Sequence, residues 1–146
     1  MFTRIDHVGV AVRDLDEAIS FYEQTFGLRC LHVETNAEQG IREAMLAVGD
    51  GRTRVQLLAP VDEQSAVARF LDRRGPGMQH IAYTVDDVSA SSDQLRAHGL
   101  RLLYEQPRRG TSGSLINFVH PGDAGGVLVE LVEHAEQAVD RAGDAG

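Results

Sequence analysis

Apolar residues fall loosely in alternation at Ile5, Val8, Val10 and Val12, which predicts a strand over residues 4–12. Asp14 then caps a helix whose apolar positions are Ala18, Ile19, Tyr22 and Phe26, with Gly27 as its stop. A second strand follows over 28–34, and the polar stretch 35–40 reads as a loop. Residues 41–48 and 53–59 form two more strands, joined through Gly49-Asp50-Gly51-Arg52, where Asp-Gly is a strong hairpin signal. A linker over 61–77 carries a short helix, Ser65–Arg74, apolar at Val67, Phe70 and Leu71.

The same order then repeats. Residues 79–85 predict a strand, 89–98 a helix closed by Gly99, 100–105 a strand, 107–112 a loop, and 115–119 and 127–133 the last two strands. Two tandem βαβββ modules, about 4–60 and 77–134, imply one α+β domain over 1–134 built on an eight-stranded, cupped, mixed sheet. The charged, Ala- and Gly-rich stretch 135–146 predicts a frayed or disordered tail.

The repeat extends to chemistry. His7 precedes Gln56 by 49 residues, and His80 precedes Glu130 by 50, each at a matched place in its module. Matched positions near a pseudo-two-fold axis can converge on one point, and that is one origin of a divalent metal site. Gln56 and Glu130 lie in otherwise apolar strands, where an unsatisfied amide or carboxylate is costly to bury. Two imidazoles, a carboxylate and an amide oxygen suit borderline ions such as Co²⁺, Zn²⁺, Ni²⁺, Mn²⁺ or Fe²⁺. The other histidines, His32, His98, His120 and His134, are left as surface or loop residues.

A tight turn at Asp50-Gly51 would pair Met45 with Gln56 and put Glu43 on the face of Gln56. Thirteen residues separate Glu43 from Gln56, and the residue thirteen before Glu130 is Asn117. On this count the mate of Glu43 is a non-titrating amide. A carboxylate on one side only is what proton transfer at a metal site requires. Glu43 could instead be an exposed residue or an ion-pair partner of Arg42 or Arg54.

Bulk properties remove other functions. All fourteen basic residues are arginine, so lysine Schiff-base chemistry and a lysine-bearing phosphate loop are excluded. A net charge of −8 argues against general nucleic-acid binding, and no apolar run reaches the length of a membrane span. One cysteine, Cys30, and a start at Met1 directly before a strand give a cytoplasmic location as the expectation. Exposed sheet edges suggest a homodimer.

Several stretches carry a family resemblance: Asp6-His7-Val8-Gly9-Val10-Ala11-Val12, Glu38 to Leu46, Gln56-Leu57-Leu58-Ala59-Pro60, His80-Ile81-Ala82, and His120-Pro121 with Gly126 to Leu131. The chain resembles the vicinal oxygen chelate superfamily (glyoxalase, bleomycin resistance protein and dioxygenase) and, within it, the methylmalonyl-CoA epimerase family. The resemblance implies metal ligands at His7, Gln56, His80 and Glu130, and Glu43 as the acid–base residue. Epimerisation also needs an acid on the opposite face, for which Glu130 is the nearest candidate and a bound water the alternative. It implies Co²⁺ as the ion, with Zn²⁺, Ni²⁺ and Mn²⁺ as alternatives. The implied reaction interconverts the (2R) and (2S) epimers of an acyl-CoA through an enolate. Arg108 and Arg109 are then candidates for the CoA phosphates. Gln79, where the family often has a histidine, is expected to face away from the metal.

Rival readings are a glyoxalase-like lyase on another chelating substrate, a non-haem iron dioxygenase, and a metal-free drug-binding protein of the same fold. Gln56 as a fourth ligand and Glu43 as a base speak against the second. The full ligand set speaks against the third.

Overall fold

A computed structural model describes residues 1–136. The predicted tail falls almost wholly on 137–146, outside the described residues. In chain order the elements are β1 (Phe2–Ala11), α1 (Leu15–Phe26), β2 (Arg29–Asn36), β3 (Ile41–Ala47), β4 (Arg54–Pro60), α2 (Ala66–Arg74), β5 (Gly77–Val85), α3 (Val88–Ala97), β6 (Arg108–Arg109), β7 (Leu115–Val119) and β8 (Leu128–Glu133). The eight strands form one mixed sheet in the order β2-β3-β4-β1-β5-β8-β7-β6. β1 and β4 are parallel, whereas β2–β3, β3–β4, β6–β7 and β7–β8 are antiparallel. The α+β class and strand number match the sequence expectation. Among the described residues no helix is long and apolar enough to cross a membrane.

The chain divides into two compact units, His7–His80 and Met1–Asp6 with the chain from Ile81 onward. Within the first, α1 starts where the Asp14 carboxylate accepts from the Glu17 amide at 3.0 Å. It ends at Gly27, whose φ of +71° only glycine adopts cheaply. Its inner residues Leu15, Ala18, Ile19 and Tyr22 pack with Val10, Val12, Ala44, Leu46, Leu57 and Ala59 on one face of the sheet. Phe26, predicted on that apolar face, is instead 58% exposed beside Phe21 and Tyr22. On the opposite face α2, capped by Ser65, seals one end with Val67 and Leu71 against Ala11, Ile41 and Leu58.

In the second unit α3 packs Val88 and Leu95 with Val85, Leu102 and Leu131. Its N-terminus receives two acceptors, Asp87 for the Ala90 amide and the buried Glu133 for the Val88 amide. The other face carries Ala82, Ile116, Val132 and Phe118.

The predicted strand over 100–105 does not form. That segment meets β7 only at intervals, through Leu103 N to Phe118 O (2.8 Å), His120 N to Arg101 O (2.9 Å) and an isolated bridge from Leu102 to Val119. Between them the Asn117 side chain takes both backbone groups of Tyr104, accepting from its N–H at 3.1 Å and donating to its carbonyl at 2.9 Å. A side chain thus replaces the ladder, and the strand is deferred to Arg108–Arg109, inside the predicted loop.

Candidate active site

Strand alternation puts His7, Gly9 and Ala11 on one face of β1, and the parallel register sets Gly9 beside Gln56 of β4. The antiparallel register sets Met45 opposite Gln56 and Glu43 opposite Leu58, as the turn at Asp50-Gly51 predicted. His7, Gln56 and Glu43 therefore share the sheet face away from α1. All three are buried, at 2%, 3% and 2% exposure. Gln56 donates its amide N–H to Glu43 Oε2 at 2.8 Å, which fixes the orientation of both side chains. It also turns Gln56 Oε1, the atom that can ligate a cation, away from the Glu43 carboxylate. The alternative ion pairs for Glu43 are not made, since Arg42 bonds Asp16 and Arg54 bonds the Gly51 carbonyl.

His80, 4% exposed, brings its Nε2 to 3.1 Å from His7 Nε2, with the rings nearly perpendicular at 88°. Gly9 makes this approach possible. A Cβ there would lie 2.0 Å from His80 Cε1 and 2.3 Å from Nδ1. No side chain larger than hydrogen fits, which explains a glycine in the middle of a strand. The role of Gly9 is not legible in the sequence, because its neighbour His80 lies 71 residues away. Gln79 keeps off the Nε2 side of His80, but it is not idle: its Oε1 lies 2.6 Å from His80 Nδ1.

In the other unit Glu130 is buried at 6% exposure and stands opposite Phe118 in the β7–β8 register. It is a carboxylate on the otherwise apolar face of Ala82, Ile116 and Val132. Asn117, by contrast, is paired with Leu131 and points to the α3 side, where it donates to Ser92 Oγ at 3.3 Å. Asn117 is thus not the counterpart of Glu43. Met45 and Gln56 are cross-strand partners 11 residues apart, whereas Phe118 and Glu130 are partners 12 apart. The one-residue difference flips the face. By register the counterpart of Glu43 is Ile116, so the asymmetry stands while the residue carrying it changes.

Arg108 and Arg109 are exposed on β6. The Arg108 guanidinium lies 4.1 Å from the centroid of the Tyr104 ring, which meets Phe118 edge to face. Three of the remaining histidines have local partners: His32 with Glu34, His98 with the Gln94 carbonyl, and His120 with Gly122 N and Arg101. His134, expected at the surface, pairs with the buried Asp6, which also accepts from Thr84 Oγ1 at 2.9 Å. At the His120-Pro121 loop, the Arg101 guanidinium holds the Asp123 carboxyl down at about 2.

Residues 6–118 match the family model of the Glyoxalase/Bleomycin resistance protein/Dioxygenase superfamily. The chain is 35% identical to an ethylmalonyl-CoA/methylmalonyl-CoA epimerase of Cereibacter sphaeroides, over 90% of this chain and 98% of that one. Among solved structures it is similar to methylmalonyl-CoA epimerase from Mycobacterium tuberculosis (55% identity, TM-score 0.89, covering 92% of this chain and 89% of that one). It is equally similar in fold to a Streptomyces coelicolor methylmalonyl-CoA epimerase in complex with 2-nitronate-propionyl-CoA (47% identity, TM-score 0.89, covering 92% and 99%).

Proposed function

The chain belongs to the Glyoxalase/Bleomycin resistance protein/Dioxygenase superfamily, and on that premise we propose that it is a methylmalonyl-CoA epimerase. It interconverts (2R)- and (2S)-methylmalonyl-CoA by removing and returning the α-proton. The observation that carries this reading is the buried Glu43 carboxylate, held by the Gln56 amide on the sheet face that also bears His7.

The reading includes a divalent ion held by His7, Gln56, His80 and Glu130. Of these, His7, His80 and Glu130 are buried and make up a group of residues able to hold a metal ion. The imidazole pair supports the fit. Their Nε2 atoms lie 3.1 Å apart, a separation that two nitrogen donors of one divalent ion would take. With nitrogen and oxygen donors mixed, Co²⁺ is the proposed ion and Zn²⁺, Ni²⁺ and Mn²⁺ are its alternatives. When bound, the ion supplies Lewis acidity to the two oxygens of a malonyl thioester, its carbonyl and its carboxylate.

Glu43 does the proton work. Its oxygen takes the α-proton from one face as the C–H pair moves into the enolate. The Gln56 amide holds that oxygen in place during the transfer, and burial keeps water from competing for the proton. Return of a proton to the opposite face completes epimerisation; Glu130 is proposed to give it from its protonated form, after which Glu43 releases its proton to solvent and Glu130 regains one from solvent. Arg108 and Arg109 are proposed to meet the CoA phosphates, Arg108 with its guanidinium plane already stacked on Tyr104. A cytoplasmic homodimer belongs to the same proposal: Cys30 is a thiol, and the edge strand β2 exposes Leu31 and Val33.

The test is NMR of methylmalonyl-, ethylmalonyl- and succinyl-CoA in heavy water with protein and Co²⁺. Deuterium should enter the α-position of methylmalonyl-CoA and not of succinyl-CoA, whose carboxylate lies one carbon farther away and does not flank the α-carbon. Absence of exchange in methylmalonyl-CoA would overturn the proposal.

A further inference from the structure

Successive residues of a strand point to opposite faces, so the side chain before His80 should have no business at its ring. Gln79 is long enough to return to it. Its Oε1 sits 2.6 Å from Nδ1, on the side of the imidazole remote from the Nε2 that faces His7. The flat side of the ring is closed by Gly9, where a Cβ would lie within 2.0–2.7 Å of three ring atoms. One flank therefore fixes where the ring lies, and the Nδ1 end meets the Gln79 amide oxygen.

We infer that Gln79 is a positioning residue, which sets the tautomer of His80 by accepting its Nδ1–H and so presents the Nε2 lone pair toward His7. This rests on the metal reading above. An amide oxygen accepts and does not donate, so a neutral His80 facing it carries its proton on Nδ1. Nε2 is then the lone-pair nitrogen, as a ligand must be, and before any ion binds it accepts at 3.1 Å from His7 Nε2–H. Fixing the tautomer and ring plane before binding removes an ordering cost. Outer partners of this kind change metal affinity by roughly 10–100-fold. A histidine at this position could offer either a donor or an acceptor. Glutamine with its oxygen inward offers only the acceptor.

Two measurements test the inference. In metal-free protein labelled with ¹⁵N-histidine, at a pH where His80 is neutral, two-bond ¹⁵N–¹H correlations report which nitrogen carries the proton. The expected result is the Nδ1–H form for His80 in the wild type and a mixture in Gln79→Leu. Competition against a chromophoric chelator, with Co²⁺ as the probe, should show affinity lowered roughly 10–100-fold in Gln79→Leu and retained in Gln79→Glu, which keeps an acceptor oxygen. A wild-type His80 in the Nε2–H form, or Gln79→Leu with undiminished Co²⁺ affinity, overturns the inference. If the wild type binds no divalent ion, the metal reading fails by itself, and the tautomer measurement still decides the role of Gln79.

Discussion

Gln56 Nε2 donates to Glu43 Oε2 at 2.8 Å across neighbouring antiparallel strands. One contact therefore joins a proposed metal ligand to the proposed base. The amide has two ends, and committing N–H to Glu43 commits the oxygen elsewhere. A glutamate at position 56 would set two carboxylates together, and a leucine would remove this hydrogen bond to the buried Glu43. Glutamine is the residue type that serves both neighbours.

Gly9→Ala should damage the site while sparing the fold. The new Cβ would overlap the His80 ring, and overpacking of this kind costs about 1–3 kcal/mol. We expect a modest fall in urea stability, with Co²⁺ affinity lost by at least tenfold because His80 is pushed aside. Chemical denaturation and metal titration of one preparation separate the two effects. Unchanged affinity would show that His80 needs no such space.

Asn117→Ala should do the reverse. The Asn117 side chain satisfies Tyr104 N–H, the Tyr104 carbonyl and Phe118 N–H, all on the α3 side of the sheet. Removing it deletes these part-buried hydrogen bonds, each of about 0.5–1.5 kcal/mol. The midpoint of urea unfolding should fall, while exchange at saturating substrate persists. Loss of exchange in a folded variant would contradict its assignment to the face opposite Glu130.

That residue also shows what the sequence left hidden. The element order apart from 100–109, the β3–β4 hairpin and the shared face of Glu43 and Gln56 followed from periodicity and one tight Asp-Gly turn. The Asn117 assignment failed because it assumed equal hairpins in both modules, and partner spacing differs by one residue between them. In a period-two structure one residue reverses the face. The missing strand over 100–105 has a different cause: no propensity scale anticipates the Asn117 side chain taking the Tyr104 backbone. Gly9, Gln79 and the Asp6–His134 pair were hidden because each depends on a contact across strands or on a side chain folding back.

Arg108→Ala should raise KM for methylmalonyl-CoA roughly tenfold with kcat unchanged, the effect of one charge-assisted hydrogen bond of about 1.5 kcal/mol. The same variant should leave KM unaltered for the pantetheine thioester, which lacks the nucleotide phosphates. Arg108→Lys should recover only part of the loss, since ammonium does not reproduce a stacked guanidinium on Tyr104. Steady-state kinetics on both thioesters decides this. An equal rise for both would place Arg108 away from the phosphates.

The Arg101–Asp123 pair makes stability depend on acid. The folded Asp123 carboxyl is lowered from 3.8 to about 2, chiefly by the Arg101 hydrogen bond. Its contribution is complete above the ordinary value, falls as pH drops through this interval, and is gone below about 2. Asp123→Asn should therefore lose less stability than the wild type between pH 5 and pH 2.5, as read by urea midpoints. Identical acid profiles would show that the pair, being exposed, contributes nothing measurable.

The most direct measurement concerns Glu43 as the base. Glu43→Gln keeps the shape of the side chain but removes its ability to take a proton. NMR in heavy water should show α-proton exchange of methylmalonyl-CoA with the wild type and at least a hundredfold loss with the variant. Metal analysis should find the same ion content in both. Exchange near the wild-type rate in a metal-loaded Glu43→Gln protein would contradict the account.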